Sequence, residues 1–265
     1  MRVTKKPCYS PEMTTEQNLD ATKLVESCRE IFGDESAWIT ANGYPGSLAL
    51  CIIDSIFSTG SHYTSVINVV NAYCDIRKAQ GADPHRDGVD ELLASFEAVG
   101  GSAGWAKAVD NHKPAHTKPG ALLKAEVIHR AALALKGLEG GGIFTTVDMH
   151  AEYAIDSELT RIKKAWLKLP SQSSGVTYNY LLILAGFQSV KPDRMVIRFV
   201  EEHAGRVGKP LTSMQTAQLI MQVAELYPTQ PRRLDHVIWR HVSGREVFRQ
   251  DEMEGRLCEG RPCSF

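Results

Sequence analysis

Apolar residues in this chain recur at intervals of three and four, and no segment sustains the two-residue alternation of a half-buried strand. A period near 3.6 lines one face of a helix, so this spacing dictates helices. Leu19, Thr22, Leu24, Val25, Cys28 and Ile31 mark a helix over 14–33, stopped by Gly33. The turn Asn42-Gly43-Tyr44-Pro45-Gly46 precedes a strongly apolar helix from Ser47 to Phe57. After the polar break Ser58-Thr59-Gly60-Ser61, a helix from about 62 to 77 buries Val66, Ile67, Val69, Val70 and Tyr73. Residues 88–99, 124–138, 158–169, 194–204, 213–227 and 231–242 carry the same period, and a short element surrounds Trp105. Gly140-Gly141-Gly142 ends the helix that Lys124 opens, since glycine accepts the left-handed conformation of a helix C-terminus. Residues 80–87 and 143–156 read as irregular connections and 246–265 as a mobile polar tail. The expected fold is all-α.

At 265 residues and 43% hydrophobic, the chain has enough apolar surface for one large core or two small lobes. Its net charge of −1 advertises no global attraction to nucleic acid, so any such contact must come from a local basic patch. No apolar run approaches the roughly 20 residues of a membrane span, and Met1 to Lys6 lacks the apolar core of a signal peptide. The expected setting is therefore cytoplasmic, without a membrane partner. The six cysteines form no Cys-x-x-Cys pair, which fits reduced thiols. His112 and His116 are four apart, but Pro114 between them breaks the helix a zinc-hydrolase motif needs, and no Glu follows His112. No metal site is expected.

The most chemically suggestive stretch is Leu169-Pro170-Ser171-Gln172-Ser173-Ser174-Gly175, a tight polar turn. It leads into the apolar run Tyr180 to Gly186 and then to Val190-Lys191-Pro192-Asp193-Arg194, with Asp193 eighteen residues after Gly175. This succession of helix, hairpin, helix, loop, Asp and helix resembles the helix–hairpin–helix DNA glycosylases related to endonuclease III. In that family a Leu-Pro-Gly-x-Gly hairpin grips a DNA phosphate and an Asp follows at a fixed distance. Gly186 falls where the family often has Gly. Ser55 to Ser61 is similar to the family's helix ending beside the target pocket, and Lys124-Ala125-Glu126 with Ile128 to its Lys-Ala-x-x-Ile helix. The resemblance covers roughly 47–205, with an insertion expected between Leu138 and Glu158; 1–46 and 206–265 carry no matching motif.

The resemblance implies two helical lobes with the hairpin motif at the cleft. It divides the chain into N-terminal helices (1–46) joining the second lobe, a helical-bundle lobe (47–170), a segment with the hairpin, the Asp and C-terminal helices (171–245), and a tail (246–265). Asp193 takes the catalytic position, where a carboxylate stabilises positive charge on the deoxyribose and orients the attacking water; an Asp before a helix is also an ordinary N-cap. Gly175 stands where relatives with strand-cutting activity carry a nucleophilic Lys, so the implied enzyme hydrolyses the N-glycosidic bond and leaves an abasic site. Ser171, Gln172, Ser173, Ser174 and Gly175 would grip phosphate, with Ser171 and Ser173 replacing the family's glycines. Lys164 and Lys168 supply a basic face, or a merely solvated one. Asp54 is a candidate second acid, one residue out of the family's register, or an interfacial carboxylate. Ser58, Gly60, Tyr63 and Tyr178 are candidates for the base pocket or wedge, Gly60 standing where relatives often hold a Gln; as core or rim residues they would need no such role. Cys258 and Cys263 alone cannot hold the iron–sulfur cluster of many relatives, so no cofactor is expected. The implied protein is a monomer acting on double-stranded DNA that carries a damaged or modified base, in base excision repair or in antiviral defence against modified DNA. The alternative is a non-catalytic DNA- or partner-binding module on the same fold.

Overall fold

The computed structural model describes residues 15–40, 42–206 and 210–249. Among them the structure is all-helical, with only isolated bridges at Trp38–Phe248 and Pro114–Leu123 in place of strands. The helices are α1 (Thr15–Phe32), α2 (Leu48–Phe57), α3 (Tyr63–Ala79), α4 (Val89–Glu97), α5 (Ser102–Ala108), α6 (Lys124–Lys136), α7 (Thr146–Ile155), α8 (Thr160–Leu167), α9 (Val176–Leu184), α10 (Arg194–His203), α11 (Ser213–Leu226) and α12 (Pro231–Val242). Single 3₁₀ turns lie at Glu35–Ala37 and Pro84–Arg86. Of the expected tail, 250–265 falls outside the described residues, as do Cys8, Cys258 and Cys263.

The chain forms two compact units, dividing after Thr40 and after Lys191. The terminal unit packs α1, α10, α11 and α12 together. Its core centres on Phe32, which meets Trp38 edge-on and lies 5.8 Å from the Phe199 ring. The central unit runs up to Lys191 and holds α2 to α9. The hairpin and α9 thus belong with α2, against which α9 packs, and not with the C-terminal helices as the division at 170 had it. The physical reason is that Leu181, Leu184 and Ala185 are buried in the same core as α2.

Every residue of α2 is buried, so the helix threads the middle of this unit and α3, α4, α6 and α9 surround it. Ser47 caps it, its hydroxyl accepting from the Leu50 amide and donating to the Asp87 carbonyl. Asp87 in turn takes Arg77 and Tyr73 on its carboxylate. Residues 143–156, expected to be irregular, contain α7 instead. Thr145 and Asp148 form a reciprocal capping box there, a recognised helix start, and Met149 anchors the helix in the core. Thr146 fastens it by donating to the Pro45 carbonyl.

Candidate functional site

Because α2 is enclosed on all sides, its one carboxylate is enclosed too: Asp54 is 2% exposed. Three tyrosines from separate elements gather around it. Tyr44 lies in the turn before α2, clasped by its amide donating to the Leu184 carbonyl at 2.7 Å. Its neighbour Gly43 has φ +61°, and a Cβ there would sit 2.5 Å from the Leu184 oxygen, so only glycine fits that approach. Tyr44 Oη donates to Asp54 Oδ2 at 3.1 Å. Tyr180, on α9, also hydrogen-bonds Asp54. Tyr63, the first residue of α3 and 37% exposed, acts electrostatically on both phenols. Lys191 places its ammonium 3.7 Å from the centroid of the Tyr180 ring.

These surroundings set the chemistry of the group. Burial pushes the Asp54 carboxyl up from 3.8 to about 6, against the opposing pull of Lys191 and the hydrogen bonds from Tyr44 and Tyr180. Burial, with Asp54 next, raises the Tyr44 and Tyr180 phenols above their ordinary value, which keeps both as donors. Asp54 Oδ1 is buried without a hydrogen-bond partner. An unsatisfied buried acceptor costs about 1–3 kcal/mol, so this oxygen favours either a proton or a ligand. An acid poised near neutrality, with one oxygen held and the other unpartnered, is suited to proton donation.

At the C-terminal end of α2, Lys124 is 2% exposed and closes the helix. Its Nζ donates to the carbonyls of Ile56 and Phe57 at 2.9 Å and of Thr59 at 2.5 Å. Those are orphan acceptors that a helix end always leaves. Burial, then the charges of Lys113 and Lys191, lowers the amine from 10.5 to about 7. Lys113 donates to the Gly60 carbonyl, so the 58–61 turn is tied down by two lysines. Within it, the Ser58 hydroxyl donates to the Ser55 carbonyl, which fixes Ser58 as a C-cap of α2. Gly60 has φ +60° with no atom within 4 Å of a built Cβ, leaving open space where the resemblance has a Gln.

The hairpin spans α8 to α9 and is braced from within. Trp166 Nε1 donates to Thr177 Oγ1 at 3.0 Å, that hydroxyl donates to Gln172 Oε1 at 2.5 Å, and Gln172 Nε2 donates to the Pro170 carbonyl at 3.0 Å. The Gln172 side chain is therefore buried and occupied, unlike the exposed Ser171, Ser173 and Ser174. Ser171 has φ +64° and Gly175 φ +76°. A non-glycine residue in that region is strained. Lys164 and Lys168 are exposed. Tyr178 is 3% exposed, with its hydroxyl buried and unpartnered; it is a core residue of α9 and presents no rim surface.

Asp193 belongs to the terminal unit, where it is the N-cap of α10: Oδ1 accepts from the amides of Met195 at 2.9 Å and Val196 at 3.1 Å. Of the residues singled out from the sequence, Asp54 and Tyr63 both act on the Tyr44 and Tyr180 phenols, and the hairpin is held on its own brace. Tyr44, Tyr180, Lys191 and the role of Lys124 had no local signal, because each enters the site by a long-range approach. Among the described residues no group of three or more His, Cys, Asp or Glu side chains converges as a metal site would need.

The chain belongs to the family described as domain of unknown function DUF8548, which matches residues 22–243. No curated protein matches the chain, and no solved structure does.

Proposed function

We propose that this protein is a monofunctional DNA glycosylase that hydrolytically removes a damaged or modified base from duplex DNA. The observation that carries the reading is Asp54: a carboxyl enclosed by phenols, held near pH 6, with one oxygen unpartnered. Breaking an N-glycosidic bond is eased by a proton delivered to the departing base, and a raised carboxyl supplies one. By the resemblance alone, Asp193 holds the position of the carboxylate that stabilises charge on the sugar. The cap role leaves Asp193 Oδ2 uncommitted by the hydrogen bonds to Met195 and Val196. The hairpin supports phosphate gripping: Ser171 adopts the left-handed backbone of a glycine position, and the amides at the start of α9 favour an anion. Strain retained at such a loop is a reason to suspect function. With Gly175 in the nucleophile position, no Schiff base forms and the product is an intact abasic strand.

One observation favours a second reading, a DNA- or partner-binding module. Asp193 already performs a complete structural task as a cap. The two are separated by incubating the protein with duplexes bearing a panel of deaminated, oxidised, alkylated and bulky phage-type bases, then heating in alkali. Strand breaks at the modified base that vanish in Asp193→Asn support the glycosylase. Binding without breaks across the whole panel overturns it in favour of the module.

A further inference from the structure

Which bases an acid such as Asp54 can serve depends on the charges beside it, and this inference rests on the reading of Asp54 as the acid of a base-excision site. Oδ2 is engaged by Tyr44, so a ligand meets Asp54 at a single point, the buried unpartnered Oδ1. The charged group acting on Asp54 is Lys191, stacked over Tyr180. Lys191 also acts on Lys124, where its charge and that of Lys113 disfavour the proton. The phenols of Tyr44 and Tyr180 complete the surroundings and hold their protons. A single carboxyl that is protonated at mildly acid pH thus faces the ammonium of Lys191. Such a neighbourhood is electropositive whenever Asp54 is in the acid form that donation requires.

We propose that this site selects neutral bases with a proton-accepting ring nitrogen and rejects bases that carry a fixed positive charge. A cationic base already has the charge that labilises its glycosidic bond and gains nothing from an acid. It would also meet Lys191 in a partly desolvated site, where like charges repel strongly. A neutral base gains both ways. Asp54 passes the proton on Oδ1 to the ring nitrogen, the C1′–N electron pair leaves with the base, and water bonds to C1′. The water then releases its own proton, which restores the Asp54 carboxyl.

The test compares two duplexes, one with a single hypoxanthine and one with a single N7-methylguanine, a neutral and a cationic purine. Equilibrium binding and release of the free base, against a protein-free control, are measured at pH 6 for the wild type, Lys191→Met, Lys191→Arg and Asp54→Asn, each checked for helical content. The wild type should bind the hypoxanthine duplex more tightly. Lys191→Met, which keeps an apolar stem over Tyr180, should narrow that preference by on the order of tenfold, as loss of one nearby unit charge predicts. Lys191→Arg should restore it, and Asp54→Asn should abolish excision of hypoxanthine. Equal or tighter binding of N7-methylguanine, no preference at all, or a preference that Lys191→Met leaves unchanged would overturn the proposal. A binding preference that follows Lys191, with no breaks on any member of the wider panel, would instead sink the glycosylase reading while supporting charge selection. Base release above the protein-free control that favours N7-methylguanine would do the reverse.

Discussion

Asp54→Asn should make this protein more stable at neutral pH, by an amount that depends on pH in a defined way. In the folded chain the carboxyl gives up its proton near 6, against an ordinary 3.8. Between those values the folded state holds a proton that the unfolded state has released, so stability falls as pH rises through the window and is level above it. At about 1.4 kcal/mol per pH unit, the ionised carboxylate costs the fold about 3 kcal/mol above pH 6. Asparagine has nearly the same shape and does not titrate, so it escapes that cost. The amide still accepts from Tyr44 and places its NH₂ where Oδ1 has no partner, a fixed contribution that does not vary with pH. The gap between variant and wild type should therefore widen by about 3 kcal/mol between pH 3 and pH 7.5. Urea titration at several pH values reads this from the midpoint, with the slope unchanged. A constant gap, or one that narrows as pH rises, would show that Asp54 ionises as an ordinary surface carboxylate and that its enclosure has no chemical consequence.

Asp193→Asn should keep the α10 cap, since Asn caps nearly as well as Asp; urea unfolding should show a loss below about 1 kcal/mol, while alkali-revealed breaks on a substrate duplex fall by orders of magnitude. Lys124→Met should remove the partner of three buried carbonyls at the end of α2 and cost about 2–4 kcal/mol, read by thermal unfolding. Because the amine titrates near 7 when folded and 10.5 otherwise, the wild type should also gain stability as pH climbs from 7 towards 10, a trend the Met variant lacks. Borohydride should trap no covalent complex between the wild type and substrate DNA. Gly175→Lys, which adds a side chain with ordinary contact to Leu167 but strains a φ of +76°, should trap some and lose about 1 kcal/mol of stability.

The helices were legible because each carries its own period and punctuation. Gly33 closes α1, and Ser47 with its apolar successors opens α2. The one helix missed, α7, had its signal in Thr145 and Asp148, but the glycine run before it and the absence of a long apolar stripe made the segment look like a connection. The site was legible only in its local part. Asp54 stands out as an acid in an apolar run, and the hairpin announces itself by its serines and its distance from Asp193. What makes Asp54 chemically active, however, comes from residues 44, 180 and 191, which approach it through the clasp of Gly43 on Leu184 and the packing of α9 on α2. A tyrosine in a turn and a lysine before a proline carry no such message alone. The enclosure also inverts a sequence-level expectation. Gln172 reads as a phosphate contact in a polar turn, yet it is the inner brace of the hairpin, because a loop that must hold Ser171 in a strained conformation needs buried hydrogen bonds to hold it there. The exposed serines are free to meet a ligand because their neighbour is not.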